Sequence, residues 1–269
     1  MPELPEVETT KNGLLPLINN QRVTRAVRHR DNLRWEIPKA LKTILAGQVV
    51  NGIDRRGKYL LIRFDVGTLI IHLGMSGSIK VVNSSELLRK HDHFELIFDN
   101  NKSMRLNDPR RFGAVLFSKD GSHPLLNSLG VEPLEEEFDE TYLYNKSRNK
   151  VQNIKTFIMN SKVVVGVGNI YACESLFASG IDPARQAGSV SKKRYALLTQ
   201  HIKNILKKAI KAGGTTLQDF SQVDGTPGYF TQTLSVYGRE GENCSTCGGK
   251  ISRLIQNQRS TFYCKQCQT

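Results

Sequence analysis

Four cysteines near the C-terminus, Cys244-x-x-Cys247 and Cys264-x-x-Cys267 with sixteen residues between the pairs, constrain this chain more than any other feature. Each pair can place two thiolates on one tetrahedral ion, and the spacer is long enough for a β-hairpin. Gly248–Gly249 supplies a tight turn after the first pair. So short a terminal segment holds no apolar core of its own, so a structural zinc ribbon is expected. A redox dithiol pair is the alternative. Four protein ligands close the ion to substrate, which gives the metal a shaping role. Cys173, the fifth cysteine, lies among Ala172, Leu176 and Phe177 in a predicted helix and is expected as a buried thiol.

A ribbon of this size needs a larger host, and charge says what the host meets. Residues 1–140 carry 20 basic and 19 acidic side chains, a net of +1, and residues 141–269 carry 18 and 6, a net of +12. An excess of that kind attracts a polyanion, nucleic acid or an anionic membrane surface. The bland reading is charge that only aids solubility. No apolar run approaches the ~20 residues that span a bilayer. The opening Met-Pro-Glu-Leu-Pro-Glu is acidic and proline-punctuated, unlike a secretory signal, so an intracellular protein is expected.

Residues 5–18 read as an amphipathic helix, with Pro5 at its start and Val7, Leu14, Leu17 and Ile18 on its apolar side. Short β-rich runs follow at Gln48–Arg55, Tyr59–Phe64, Thr68–Leu73, Ser78–Val82, His93–Asp99, Met104–Asn107 and Ala114–Ser118. Their spacing predicts a β-sandwich or barrel. Six acidic residues in 132–140 suggest a solvated linker. Beyond it the period turns helical, at 139–148, 151–160, 169–179 and 191–212. The last places Leu197, Leu198, Ile202, Ile205, Leu206 and Ala209 on one side, with Lys203, Lys207, Lys208 and Lys211 solvated.

Four motifs carry chemistry beside a plainer use. Arg259, in the ribbon hairpin, is well held for phosphate, or is an ordinary solvated arginine. Val165-Gly166-Val167-Gly168-Asn169 opens a helix and lets backbone approach a phosphate, though turns use glycine freely. Asp108-Pro109-Arg110-Arg111-Phe112-Gly113 makes a turn presenting guanidinium groups beside a ring. That suits a wedge into a base step, assisted by Met75 in a second glycine-flanked turn, or a hairpin with one buried Phe. Removal of Met1 leaves Pro2 as a free secondary amine, whose group titrates near ~8 against ~10.4 for lysine. Such an amine can attack an anomeric carbon, with Glu3 and Glu6 beside it as acid or orienting group, or simply as helix starters. His91-Asp92-His93 offers two histidines on one face of a strand and no third ligand, so no metal is expected there.

Residues 1–9 (Met-Pro-Glu-Leu-Pro-Glu-Val-Glu-Thr), Arg55–Leu60, His72–Gly77, Asp108–Gly113, Gly166–Tyr171 and the cysteine ribbon together resemble, in order along the whole chain, bacterial formamidopyrimidine-DNA glycosylases. The resemblance implies an α+β multidomain fold: an N-terminal β-sandwich with an N-terminal helix, a helical helix–two-turns–helix domain, and a C-terminal four-cysteine zinc finger. The expected divisions are 1–131, an acidic linker at 132–140, 141–230 with a lesion-recognition loop at 215–229, and 231–269.

It further implies excision of oxidised purines, 8-oxoguanine and formamidopyrimidines, from double-stranded DNA, followed by β- and δ-elimination at the abasic sugar. Carried over, Pro2 is the Schiff-base nucleophile, Glu3 the acid opening the sugar, and Glu6 its support. Lys58 is a proton donor in elimination, and Arg259 serves the last elimination. His72, His91, Lys155 and Asn169 are DNA contacts, while Met75, Arg110 and Phe112 fill the void, with Arg110 facing the orphaned cytosine. Cys244, Cys247, Cys264 and Cys267 hold one structural zinc. A monomer in the cytoplasm, associated with the bacterial nucleoid and not with a membrane, is expected. Leu4 and the long loop at 215–229 favour this branch over the related endonuclease VIII type, which prefers oxidised pyrimidines. A non-catalytic zinc DNA-binding protein is the rival from another class. Residues 1–131 carry 20 basic and 13 acidic side chains, +7, so both domains are basic, as two walls of one DNA cleft would be.

Overall fold

A computed structural model describes residues 1–214 and 234–269. The chain divides into two compact units, and the described parts of the first are residues 1–127 and 212–214. It opens with helix α1 (Leu4–Ile18), which begins one residue before Pro5. Pro at the first turn costs nothing, because that N–H has no helical partner. Glu6 reaches back to the Glu3 N–H at 2.8 Å and closes a capping box.

Two four-stranded antiparallel sheets follow. One runs β1 (Val23–Arg28), β6 (Asp92–Phe98), β7 (Lys102–Asn107), β5 (Ser78–Asn83). The other runs β2 (Gly52–Arg56), β3 (Tyr59–Phe64), β4 (Gly67–His72), β8 (Ala114–Ser118). Val23, Leu96, Phe98, Met104 and Leu106 of the first sheet share a core with Leu60, Ile62, Leu69, Ile71 and Val115 of the second. Val7, Leu14 and Ile18 of α1 join it. This is the sandwich the strand spacing anticipates. Leu17 departs from the expected stripe and is exposed. Two short helices, α2 (Leu41–Ile44) and α3 (Pro124–Asn127), complete the unit.

In the second unit, described for 128–211 and 234–269, α4 (Glu140–Ser147) is capped by Asp139, whose carboxylate accepts from Tyr142 N. The acidic run precedes it: Glu135, Glu136 and Glu137 are exposed, but Phe138 is fully buried. α5 is only Ile154–Ile158, shorter than its sequence period, because Asn153 caps it by accepting from Thr156 N. Two turns then lead to α6 (Asn169–Ala178), and α7 (Lys192–Lys211) follows. α7 buries Tyr195, Leu198, Thr199, Ile202, Leu206 and Ala209 and leaves Leu197 exposed. Lys203 is not simply solvated: its ammonium donates to the Glu135 carbonyl at 2.9 Å and lies 6.0 Å from the Phe138 ring centre. The hairpin β9 (Ile251–Gln256) and β10 (Arg259–Cys264) closes the chain through Asn257 and Gln258, both at positive φ. Among the described residues no helix is long and apolar enough to cross a membrane.

Candidate active site and nucleic-acid interface

The first unit holds the N-terminal group. Pro2, Glu3 and Glu6 are all buried, the two carboxylates at 2 % exposure each. Two carboxylates buried so close to one terminus need N–H groups or cations as partners. Glu6 is answered in part by the Glu3 N–H. Gly214, at φ +83°, packs against Glu6: a side chain there would begin 3.1 Å from its Oε1.

Lys58 sits in the two-residue turn between β2 and β3, after Gly57 at φ +59°. α1 holds this hairpin: Arg55 Nε donates to Glu8 Oε2 at 2.6 Å, and Arg55 Nη1 donates to the Gly57 carbonyl at 3.0 Å. Burial would raise the Glu8 carboxyl, but the bonds from Lys11 and Arg55 outweigh it and hold Glu8 below the usual range. The Glu8–Arg55 pair thus carries the lysine turn to the helix that starts two residues after Pro2. Neither residue is conspicuous in the sequence as a site residue, because their partnership spans 47 positions.

His72 faces Tyr59 across the β3–β4 ladder, ring centres 4.8 Å apart. Its Nδ1 accepts from Gly74 N at 3.0 Å, so Nε2 carries the hydrogen of the neutral ring and can donate to a phosphate oxygen. Burial, then Lys58 and then Arg34, bring its pKa down to about 4. With the ordinary value near 6.5, the unfolded ring takes up protons before the folded one does as pH falls. Stability is therefore full above about 6.5 and falls toward 4. We expect His72→Gln to flatten that acid limb when Tm is followed against pH. The His72 resonances of the native protein should titrate near 4, and a midpoint near 6.5 would refute this account.

The two glycine-flanked turns meet. The first closes with Gly77 N donating to the Leu73 carbonyl at 2.8 Å, and the second follows β7 through Asp108. A Cβ on Gly74, at φ +67°, would stand 2.4 Å from the Gly113 nitrogen, so the turns are packed backbone to backbone. They bring Met75, half-buried, together with Arg110 and Phe112, both exposed. The Arg110 guanidinium lies 5.5 Å from the Phe112 ring centre. The Phe112 ring, at 47 % exposure, is outside the core, as a wedge requires and a buried hairpin phenylalanine does not. His91 adjoins the second turn, since its carbonyl accepts from Asp108 N at 3.0 Å. It precedes β6 at φ +79° and so does not follow strand alternation, though its ring stands 6.0 Å from that of His93.

The second unit gathers Lys155, Asn169 and Arg259 around one residue. The Ser260 carbonyl accepts from Asn169 Nδ2 at 2.9 Å and from Lys155 Nζ at 3.3 Å. Lys155, 1 % exposed, also donates to Thr261 Oγ1 at 2.6 Å. α5 and α6 are thereby hooked onto the start of β10, where the Arg259 side chain stands exposed. Glu174, buried on α6, accepts from Ser235, Val236 and Tyr237 N–H groups at 2.8 to 2.9 Å and anchors the approach to the ribbon. Nothing in the sequence marks Glu174, whose partners are backbone groups some sixty positions away.

The four ribbon sulfurs lie within 4.8 Å of one another, with Cys244–Cys267 at 3.8 Å and Cys247–Cys264 at 3.5 Å. A zinc–sulfur bond of ~2.3 Å gives a tetrahedron edge of about 3.8 Å, so the set fits one zinc ion. Packed together without a cation the thiols resist ionising jointly: Cys267 is pushed up to about 12, first by Cys247. Zinc supplies the missing charge. The ribbon packs through Ile251, Cys264 and Phe262 on Cys173 and Phe177 of α6, which gives the buried fifth cysteine a packing role.

Comparison with known proteins agrees with this layout. Residues 1–115 match the formamidopyrimidine-DNA glycosylase N-terminal domain, 129–221 the H2TH domain of the same enzymes, and 241–269 a zinc finger found in FPG and IleRS. A formamidopyrimidine-DNA glycosylase of Ruthia magnifica subsp. Calyptogena magnifica is 72 % identical over 269 residues, covering 100 % of both chains. Among solved structures, a Lactococcus lactis FPG mutant complexed with Fapy-dG-containing DNA superposes at TM-score 0.91, with 33 % identity and full coverage of both chains. A MutM complex with DNA containing carbocyclic 8-oxo-G does so at TM-score 0.91 and 34 % identity, again over the whole of both chains.

Proposed function

The chain belongs to the formamidopyrimidine-DNA glycosylase family, and from that premise we propose how its own residues carry out the reaction. It is a DNA glycosylase of base-excision repair that acts on oxidised purines in double-stranded DNA, with abasic-site lyase activity and one structural zinc. It works in the cytoplasm, at the bacterial nucleoid.

The observation that carries the mechanism is the buried Pro2–Glu3–Glu6 terminus, with the Lys58 turn tied to the same helix. Once Met1 is removed, the Pro2 nitrogen attacks C1′ of the flipped nucleotide. The C1′–base bond breaks, the base leaves with a proton, and the nitrogen loses its own. Glu3 protonates O4′, the C1′–O4′ bond opens, and the nitrogen lone pair makes a C1′=N iminium. A secondary amine leaves that iminium no N–H to lose, so it stays cationic and acidifies C2′. Loss of the C2′ proton expels the 3′ phosphate, and a second elimination expels the 5′ phosphate. Lys58 delivers protons in these steps, and Glu6 holds the Glu3 backbone in register.

Arg259, His72 and His91 are the residues that meet phosphates. Arg259 and His72 present donors, while Lys155 and Asn169 act by fixing the strand that carries Arg259. Arg110, Phe112 and Met75 occupy the space the extruded base leaves. The lesion-recognition loop expected at 215–229 lies outside the described residues. Charge is spread to match, +7 on residues 1–131 and +12 on 141–269, so affinity should fall steeply with salt.

The test is product analysis on duplexes carrying 8-oxoguanine, a formamidopyrimidine or an oxidised pyrimidine. Purine lesions should be released faster, with phosphate left on both flanking ends. Arg259→Ala should leave base release close to native, because phosphate contacts position the duplex and do not read the base. The cut strand should then accumulate with an unsaturated aldehyde at its 3′ end. Faster pyrimidine release would assign the endonuclease VIII type, and binding without release would assign the non-catalytic reading.

A further inference from the structure

Three side chains proposed to enter the duplex, Met75, Arg110 and Phe112, come from two turns separated by more than thirty residues, yet they must enter as one body. What joins the turns is a buried polar latch. Asp108, fully buried, accepts from Gly113 N through Oδ2 at 2.8 Å and from Ser76 Oγ through Oδ1 at 2.9 Å. Ser76, 5 % exposed, in turn accepts from Arg110 N at 3.2 Å. The Asp108 carbonyl also takes Arg111 N at 3.2 Å and His93 Nε2 at 3.0 Å. Arg111 holds φ +60°, the conformation that turns the chain between Arg110 and Phe112.

Among the described residues, Ser76 is the one side chain that both donates into the Asp108 turn and belongs to the Met75 turn. Its hydroxyl spends its hydrogen on Asp108 and its lone pair on the backbone of Arg110. We infer that Ser76 is a positioning residue: through this relay it sets where the Arg110 guanidinium falls, and so controls discrimination of the base opposite the lesion. The inference rests on the proposed role of Arg110 and extends it to a residue that need not touch DNA.

The physical reason is the length of the lever. Arg110 has a long flexible side chain whose guanidinium lies over the Phe112 ring, so its aim depends on where its backbone is fixed. Losing the Ser76 hydroxyl frees Arg110 N and leaves one oxygen of a buried carboxylate without its partner. The turn then relaxes by rotating the segment that bears Arg110 and Phe112. The packed backbones at Gly74 and Gly113 keep the two turns in contact.

The test compares excision of 8-oxoguanine opposite cytosine with excision opposite adenine, for native protein, Ser76→Ala, Ser76→Thr, Asp108→Asn and Arg110→Ala. A directional arginine–base contact is worth about tenfold in discrimination. Ser76→Ala and Asp108→Asn should each cut the cytosine-over-adenine ratio by about tenfold, and Ser76→Thr, which keeps the hydroxyl, should restore it. Borohydride trapping on a single-stranded abasic oligonucleotide, which has no opposite base, should be unchanged in Ser76→Ala. A variant that only loses stability lowers both duplex rates together and leaves their ratio alone, which would overturn the inference. Retention of the ratio by Ser76→Ala while Arg110→Ala abolishes it would overturn the latch but not the wedge. Retention by Arg110→Ala would overturn both.

Discussion

Keeping the Pro2 nitrogen in a peptide bond, by an N-terminal extension that is not processed, should abolish borohydride trapping and strand cleavage while leaving lesion binding in place. A peptide nitrogen has no lone pair to give, and no neighbouring side chain replaces it at the same position. Losing a covalent nucleophile costs on the order of 10³-fold or more in turnover. Pro2→Gly offers a subtler comparison. It keeps an amine, but a primary one whose imine can deprotonate to a neutral form, so trapping should fall and β-elimination should slow more than base release. The buried setting matters to both variants. Glu3 and Glu6 lie under the surface at the helix start, so an extended terminus must displace Pro2 or thread past it. Binding of lesion duplex, read by anisotropy, separates a blocked nucleophile from a misfolded terminus. Full trapping by the extended protein would show that a lysine forms the adduct instead, with Lys58 the first to examine by peptide mapping.

Much of this architecture was readable from residue pattern because the signals were local. Glycine-bounded alternation placed seven of the sandwich strands, and Pro5 with the acidic first turn placed α1. β1 escaped detection for a local reason too. A bulge between Val23 and Arg25 breaks its period of two, and only Val23 and Ala26 are fully buried. On α7 the expected face holds at Leu198, Ile202, Leu206 and Ala209, but Leu197 is exposed, whereas Tyr195 and Thr199 are buried. Tyr195 reaches the core because its hydroxyl finds the Ala187 carbonyl at 2.9 Å, a partner that no periodicity predicts. The site divides the same way. The proline, the lysine turn, the wedge turn and the cysteines stand in recognisable strings. Glu8 with Arg55, Glu174 with its three amides, and Ser76 with Asp108 act through partners far along the chain, and only folding reveals them.

Lys155 links that lesson to the metal. Its ammonium is buried and ends on Thr261 and Ser260, residues of the zinc hairpin. The hairpin has little else to keep it folded, since its buried apolar residues are few and two of them, Cys244 and Cys264, are ligands. Structural zinc in such a segment contributes about 10–16 kcal/mol, more than the segment's own packing can replace. Removing the ion with a strong chelator, or Cys264→Ser, should therefore unfold residues 241–269 and take the Thr261 and Ser260 acceptors away from Lys155. Each hydrogen bond lost by a buried charged donor costs about 1.5–3 kcal/mol, so the damage should spread into α5 and α6 and lower their melting together. Arg259 and the backbone hooked by Asn169 would lose their places, and lesion-duplex affinity should drop by about 100-fold or more, as when several phosphate contacts vanish together. The first unit contains Pro2 and does not depend on the ribbon for its core. At high oligonucleotide concentration the chelated protein should still trap an abasic single strand. Stoichiometric zinc should restore duplex binding. Undiminished duplex affinity in zinc-free protein would mean that the hairpin holds its shape without the ion.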